Sequence, residues 1–345
     1  MRKYTVLVVL LAGIFAIQCS NNRVGPAERP FTLDGVQEIV VTGFREYPQF
    51  DLGNPMDIKA LGGGKVLVSD QAPLMLHYMD LTTGSDHAFL NQGRGPGELS
   101  LASTVEVHGD LLYAFSPNDR KIVCLRLDES QDFPLVSEIK TEVFSSKMAV
   151  DPNGGFVMSP TRGGLRFVHL DNQGNVTDTL GSFPQLEGEQ EAINNSALQS
   201  NFAFSPDGKY FCSPYLGMDC IEIYSHDFQS VTRLMGPEDF RPTVKKIVFP
   251  GGEVWTYGAS PDKRVFSGIS TSDKGFIVIY IGQLRDSDES ARRNTLLRFD
   301  WQGRCLARYV LPEDIYYYDV DWEQGKLIAI SARPERTLVV ADIEL

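Results

Sequence analysis

Three side chains with oxygen atoms are the residues of this sequence best suited to bind a metal ion: Asp57, Asn201 and Asp319. Carboxylate and amide oxygens are the ligands that Ca²⁺ prefers. Lys147 stands at a corresponding position of the repeat described below, and its ammonium group would compete with a metal ion for these oxygens. The sequence therefore favours a water-filled polar space in which Asp57 and Lys147 pair, and it assigns no metal or cofactor. Calcium coordination by the three oxygen-bearing residues is the alternative.

The motifs that usually mark hydrolases and redox enzymes do not occur in this sequence. It has no His-Glu-x-x-His zinc motif, no Gly-x-Ser-x-Gly nucleophile turn and no Cys-x-x-Cys pair. The histidines are spread along the chain, with no two of them four residues apart: His77, His87, His108, His169 and His226. We therefore assign no catalytic residue, and the sequence favours a protein that is not an enzyme.

The cysteine count is odd, with five at Cys19, Cys124, Cys212, Cys220 and Cys305. The number is explained if Cys19 carries a lipid and the other four belong to the folded body. Cys212 and Cys220 flank a short turn, so a disulfide between them and a pair of reduced, half-buried thiols both remain open.

A short phrase repeats along the chain, and it defines the elements that position these residues. A glycine turn precedes four or five strand-forming residues, as in Gly64-Lys-Val-Leu-Val-Ser and Gly208-Lys-Tyr-Phe-Cys-Ser. The turn position recurs at steps of 45 to 66 residues: Gly64, Gly109, Gly154, Gly208, Lys274 and Gly325. Propeller blades repeat at about 40–50 residues. With a strand before each phrase and two strands after it, the pattern predicts an all-β, six-bladed β-propeller with four antiparallel strands per blade.

The innermost strands of a propeller line its central channel, and counting seven residues back from each turn predicts which side chains face it. The count selects Asp57, Ala102, Lys147, Asn201, Ser267 and Tyr318, with Asp319 beside the last. We predict a ligand-binding channel that contains Asp57, Lys147, Asn201 and Asp319. Some six-bladed propellers bind calcium in the channel and act as lactonases or esterases, so a calcium-dependent hydrolase is the alternative function.

The last repeat ends the sequence on its third strand, at Leu338–Asp342. Val36–Gly43 is an unassigned strand near the N-terminus. We predict that Val36–Gly43 supplies the missing fourth strand, so that an N-terminal strand closes the ring.

The first 18 residues have the features of an export signal. Arg2 and Lys3 precede the uncharged run Val6–Ile17, which is too short for a membrane span of about 20 residues. Cys19 follows, and together these features resemble a bacterial lipoprotein signal in which Cys19 is acylated. An ordinary secretory signal with an incidental cysteine is the alternative. Residues 19–31 are predicted to be a tether and residues 32–345 the propeller.

The chain carries a net charge of −13, and 42% of its residues are hydrophobic. The hydrophobic content is sufficient for a folded core. A surface of this charge repels phosphate backbones, so we expect no nucleic-acid partner. The membrane is expected to be a partner through the lipid anchor only.

One phrase is more specific than the repeats. Residues Gly93–Leu99 read Gly-Arg-Gly-Pro-Gly-Glu-Leu. With Val68–Asp70, this phrase resembles the TolB-like six-bladed propeller lipoproteins of Bacteroides-type bacteria, over about the whole mature chain. The resemblance implies the fold and a location in the cell envelope, as an outer-membrane lipoprotein on the periplasmic or the surface side. It implies little chemistry.

The turn of that phrase comprises Gly93, Arg94, Gly95, Pro96, Gly97 and Glu98. Its glycines permit a tight path with positive φ between the first two blades. A backbone-lined anion site is the alternative, but the phrase lacks the Lys-Ser/Thr of a phosphate loop.

Two other segments are candidates for recognition. Gly282–Asn294 is rich in both charge signs and is predicted to be a long solvated loop, and Tyr316–Tyr318 could stack on sugars or pack within a strand. The sequence as a whole favours an exported, lipid-anchored binding or scaffolding protein for a protein, peptide or glycan ligand.

Overall fold

The computed structural model describes residues 27–128, 132–184, 198–242, 244–250, 252–257, 263–284 and 295–345. The signal sequence, Cys19 and most of the charged segment 282–294 lie outside these ranges, although its first residues complete a strand. Within the described residues, no helix is long and apolar enough to cross a membrane.

Six four-stranded antiparallel sheets form the blades of a propeller, which confirms the predicted fold. The first three blades are β4–β7, β8–β11 and β12–β15. Their strands are Pro55–Gly62, Lys65–Asp70, Leu74–Asp80 and Ser85–Asn91; Thr104–His108, Leu111–Ser116, Lys121–Arg126 and Leu135–Lys140; and Ser145–Val150, Phe156–Pro160, Phe167–Leu170 and Val176–Leu180.

The other three blades are β16–β19, β22–β25 and β26–β28 with β3. Their strands are Ala203–Phe204, Tyr210–Pro214, Cys220–Ser225 and Val231–Met235; Lys263–Ser272, Gly275–Leu284, Thr295–Asp300 and Cys305–Val310; and Ile315–Asp321, Lys326–Ser331, Leu338–Asp342 and Arg45–Tyr47. A separate hairpin, β20 (Val244–Phe249) and β21 (Gly252–Tyr257), lies between the fourth and fifth blades in sequence.

Hydrophobic side chains fill the seam between each blade and the next. At the seam between blades 1 and 2, Leu67 and Leu76 pack in one cluster with Leu112 and Val123. At the seam between blades 6 and 1, Ile328 and other residues pack in one cluster with Val66 and Val68. Each blade is therefore apolar on both faces, and only a neighbour on each side covers it. The first strands touch in a closed circuit, β4–β8–β12–β16–β22–β26–β4.

The strand that closes the ring is β3 and not the predicted Val36–Gly43. Arg45–Tyr47 pairs antiparallel with β28, and Tyr47 is buried against the seam between blades 6 and 1. Within the predicted segment, β2 (Gln37–Val40) instead pairs in parallel with β25, on the outer edge of blade 5. The sequence prediction was wrong because the longer apolar run lies in the edge strand, whereas the closing strand has only three residues.

The N-terminal segment therefore runs along the outside of three successive blades. β1 (Ala27–Pro30) pairs in parallel with β19 of blade 4, before β2 reaches blade 5 and β3 reaches blade 6. Ala27–Pro30 falls within the predicted tether, so regular structure begins before residue 32. All four residues of β1 are exposed. Backbone hydrogen bonds to β19 hold this strand, so it needs no buried side chains and has no hydrophobic pattern that would predict it from the sequence.

Cys212 and Cys220 are fully buried thiols that do not face each other. Cys212 lies opposite Ile223, and Cys220 lies opposite Met235. Both are free cysteines, and burial raises the pKa of each thiol well above its usual value. The structure thus favours reduced thiols over a disulfide, and they are more deeply buried than the sequence suggests.

The closing strand yields a stability test. Tyr47→Ala should lower the free energy of unfolding by about 3 kcal/mol or more, because it removes a buried aromatic ring from the last seam. Val40→Ala on β2 is the matched control; its side chain is 63% exposed, and its effect should stay below about 0.5 kcal/mol. Urea unfolding followed by fluorescence measures both. A larger loss for Val40→Ala would mean that β2, and not β3, closes the ring.

Candidate ligand-binding channel

The channel contains a pair of opposite charges from the first strands of blades 1 and 2. Asp57 and Lys59 are two residues apart on β4 and therefore project from the same face of the strand. The Lys59 ammonium lies 3.1 Å from Oε1 of Glu106 on β8, and both side chains are about one-fifth exposed. The channel thus holds an ion pair that is partly withdrawn from water but still reachable from it.

Asp57 and Asp319 use their oxygens to connect neighbouring blades. The Val105 backbone N–H of β8 donates to Asp57 Oδ2 at 3.0 Å. The Ala60 N–H of β4 donates to Asp319 Oδ2 at 2.9 Å, and the Ser270 hydroxyl of β22 donates to Asp319 Oδ1 at 2.6 Å. These two carboxylates therefore link the first strands of blades 5, 6, 1 and 2.

The charges of this group perturb one another's ionisation. Burial by itself lowers the pKa of Lys59, but the charges of Glu106, Asp57 and Asp319 outweigh burial and raise it above the usual value. Burial raises the pKa of the Glu106 and Asp319 carboxyls, and Lys59 opposes that effect. Lys59 therefore remains charged, and its positive charge offsets the charges of three carboxylates.

The predicted channel residues are only partly brought together. Asp57 and Asp319 belong to the charged group, whereas Asn201 is 4% exposed and lies before β16, with its backbone N–H bonded to Pro214. Lys147 is half-buried on β12, but it forms no ion pair with Asp57 among the described residues. Burial lowers its pKa, the negative charge of Asp57 opposes that effect, and the positive charge of Lys59 adds to it.

The other positions selected by the count also differ from the prediction. Ala102 is buried in the seam between blades 1 and 2, and the Tyr318 hydroxyl is buried and donates to the Ile277 carbonyl. Tyr318 therefore packs in the interior, while Tyr316 is 36% exposed. A fixed count fails because the first strands differ in length, from two residues in β16 to ten in β22, and because β4 contains irregular pairings.

Sequence reasoning missed the Lys59–Glu106 pair. Glu106 is flanked by Val105 and Val107, and Lys59 stands between Ile58 and Ala60. For Glu106 and for Lys59, the available signal in the sequence was one charged residue between two apolar neighbours.

A cavity of about 460 Å³ opens beside this pair. It lies at the end of the channel where first strands turn into second strands, which we call the hairpin face; His108, Pro152 and Pro206 of those turns line it. Lys59, Glu106 and Asp319 form its charged wall. Trp322 adds an indole ring, whose Nε1–H donates to the Ser270 hydroxyl at 3.0 Å. The size is in the range of small-ligand sites.

The oxygens of Asp57 and Asp319 are engaged by hydrogen bonds from the chain itself. Among the described residues, no group of three or more histidine, cysteine or acidic side chains is placed to hold a metal ion. The Asp57 and Asp319 oxygens already accept backbone N–H groups, and Lys59 lies in the field of both. A second cation there would be repelled by the ammonium group.

In the Gly93–Glu98 turn, glutamate carboxylates accept hydrogen bonds from the backbone N–H groups. The Gly95 N–H donates to Glu98 Oε2 at 2.8 Å, and the Gly97 N–H donates to Glu138. Buried Lys121 donates to the Gly95 carbonyl at 3.1 Å. A Cβ atom at Gly93 would overlap the Glu98 carboxylate. This arrangement favours a structural role between blades 1 and 2 over an anion site.

Comparison with known proteins supports the fold strongly. A family model described as TolB-like 6-blade propeller-like matches residues 55–323. Among curated protein sequences, none matches the chain.

Solved structures with the same fold have low sequence identity. A Bacteroides fragilis protein named "Putative exported protein" is 11% identical, with a TM-score of 0.55, and the match covers 92% of this chain and 99% of that one. Regucalcin, a calcium-binding protein from Agrobacterium tumefaciens, is 13% identical with a TM-score of 0.51 and coverage of 89% and 96%. A streptogramin B lyase is 11% identical with a TM-score of 0.51 and coverage of 88% and 98%. At these identities the similarity shows the fold alone.

The link between blades can be tested by removing its acceptor. Asp57→Ala should lower the free energy of unfolding by about 1–3 kcal/mol, because the buried Val105 N–H loses its partner. Asp51→Ala, at an exposed position, is the control and should change it by no more than about 0.5 kcal/mol. Both are measured by urea unfolding, with and without millimolar Ca²⁺. Stabilisation of the wild type by Ca²⁺ that Asp57→Ala abolishes would contradict the structural role of Asp57.

Proposed function

This chain belongs to the TolB-like six-bladed propeller family, and we propose that it is an exported, lipid-anchored protein of the cell envelope that binds a peptide, protein or glycan ligand. Export and lipid attachment are supported by the N-terminal charges, the short apolar run and Cys19. The name of the Bacteroides fragilis neighbour describes an exported protein, which is compatible with this location. We place the protein on the outer membrane, on its periplasmic or surface side.

The observation that carries the binding function is the cavity at the hairpin face with the Lys59–Glu106 pair in its wall. An ion pair that is partly desolvated offers both a donor and an acceptor to a polar ligand. Trp322 provides an aromatic surface beside the two charges. This combination of a few polar groups and an apolar surface in a concave site is typical of ligand recognition.

Binding is favoured over hydrolysis by the state of the carboxylates. A calcium-dependent lactonase or esterase needs free oxygens around one metal position. Here Asp57 and Asp319 are engaged by backbone N–H groups of neighbouring blades, and Asn201 does not line the cavity. The calcium binding named for regucalcin therefore has no matching ligand set among the residues described in this chain.

Ligand binding can be tested by thermal denaturation of the full chain in detergent. The probes are a panel of short peptides and of mono- and disaccharides at millimolar concentration. A ligand at 100 times its Kd stabilises the folded state by about 2.7 kcal/mol. We expect at least one probe to raise the Tm of the wild type by several degrees, and Lys59→Met to abolish the shift because the ligand loses its donor.

Lys209→Met is the control for that experiment, since Lys209 is a 73% exposed lysine of blade 4. It should retain the full ligand-induced shift. The change in Tm on adding the probe is compared, so a lower intrinsic stability of Lys59→Met does not affect the result. If no probe raises the Tm, or if Lys59→Met responds like the wild type, the cavity is not the binding site.

The lipid anchor is tested separately. Cys19→Ala should move the protein from the membrane fraction to the soluble fraction, because the thiol that accepts the lipid is gone. Immunoblots of fractionated cells measure the distribution, and Cys305→Ala, which leaves Cys19 intact, serves as the control. Retention of signal-cleaved Cys19→Ala in the membrane would show that another interaction anchors the protein.

A further inference from the structure

We propose that the end of the channel opposite the cavity binds an acidic peptide segment in an extended conformation, through Arg120 and Arg162 around the exposed ring of Phe144. This end, which we call the entry face, is where the first strands begin. Phe144 directly precedes β12, whereas Pro152 in the cavity wall follows the end of the same strand. The two sites are therefore separate.

Phe144 holds two guanidinium groups at the surface. Its side chain is 52% exposed, and its carbonyl accepts the Thr161 N–H at 2.7 Å, which fixes the backbone. The Arg120 Cζ lies 4.7 Å and the Arg162 Cζ 5.6 Å from the ring centroid. Stacking on an aromatic ring orders an arginine and leaves its N–H groups available for carboxylates. The two arginines come from different blades, so the site bridges the seam between blades 2 and 3.

Arg120 has an unusual backbone conformation for a residue with a side chain. Its φ is +50°, and its carbonyl accepts the Thr141 N–H at 3.0 Å, next to the loop that carries Phe144. A non-glycine residue is strained in this region and persists where the surroundings hold it. A glycine would adopt this conformation without strain, but the residue here is an arginine. The backbone thereby places its side chain beside Phe144.

The cations of this site lack strong partners of their own. Arg120 pairs with Glu142, whose side chain is 94% exposed, and an ion pair so exposed to water is weak and readily exchanged. Among the described residues, Arg162 has no acidic partner within ion-pair distance. Two positive side chains thus gather at the residue before β12, on a chain whose net charge is −13. This positive charge on an otherwise negatively charged protein attracts an anionic ligand.

The two guanidinium groups are close enough for neighbouring acidic side chains of one extended peptide to reach both. Both guanidinium carbons lie within 5.6 Å of one ring centroid, so they are separated by less than twice that distance. Alternate side chains of an extended strand project on one side about 6.6 Å apart. Two acidic residues at positions i and i+2 can therefore address both arginines, and an apolar part of the peptide can cover the exposed Phe144 ring.

The experiment measures fluorescence anisotropy of the full chain in detergent with a labelled peptide, acetyl-Glu-Ala-Glu-Ala-Glu-amide. The matched probe replaces each glutamate by glutamine, and an oligogalacturonate of the same charge represents an acidic glycan. We expect the acidic peptide to bind at least about tenfold more tightly than its glutamine counterpart, with an affinity that falls as salt is added. The double variant Arg120→Met/Arg162→Met should lose about tenfold in affinity or more.

Arg126→Met is the control, because Arg126 is a 53% exposed arginine at the opposite end of β10, where it pairs with Asp110. It should bind like the wild type. Equal affinity for the two peptides, or unchanged binding by the double variant, would overturn the proposal. Tighter binding of oligogalacturonate would assign the site to an acidic glycan instead. The cavity titrations with Lys59→Met are independent of each of these outcomes.

Discussion

The structure depends on the burial of two apolar faces per blade. Leu67 and Leu76 face blade 2, while Val66 and Val68 face blade 6, so blade 1 is hydrophobic on both sides. A sheet of this kind cannot expose either face without a large loss of hydrophobic free energy. Successive blades must therefore cover one another until the last meets the first, and the short strand β3 completes that contact through Tyr47.

Closing the ring brings six first strands together, and the backbone groups on their free edges, which face the channel, need partners that a neighbouring strand does not provide. Asp57 and Asp319 supply acceptors, each bonded to an N–H of a neighbouring blade. Lys59 offsets the negative charge that these two residues and Glu106 introduce. The charged channel is thus a consequence of closure, and the cavity beside it gives the same charges access to ligands.

Charged side chains also pair inside the protein, at a seam between blades that solvent does not reach. At the seam between blades 3 and 4, the side chains of Arg166 and Glu222 have no exposed surface and lie 3.3 Å apart. Glu222 also accepts the hydroxyls of Tyr215 and Tyr224, and Arg233 bonds its other oxygen at 2.9 Å. Loss of one member would leave a buried charge unpaired, which makes this network a constraint on how the two blades fit together. It differs from the channel pair, which a ligand can reach.

The sequence by itself determined the repeat, the number of blades and the order of strands within each blade, because turn residues and alternating apolar residues act over a few positions. It also selected Asp57 and Asp319 as channel residues, and their part in ligand binding stays a prediction. Only the tertiary structure decided that Glu106 and Lys59 form the charged pair, since strand lengths and irregular pairings set the register. The partners of β3, β2 and β1 were likewise decided only by the tertiary structure. An edge strand is held by backbone hydrogen bonds with a distant strand, and backbone groups are the same in every residue, so its place cannot be read from side-chain patterns.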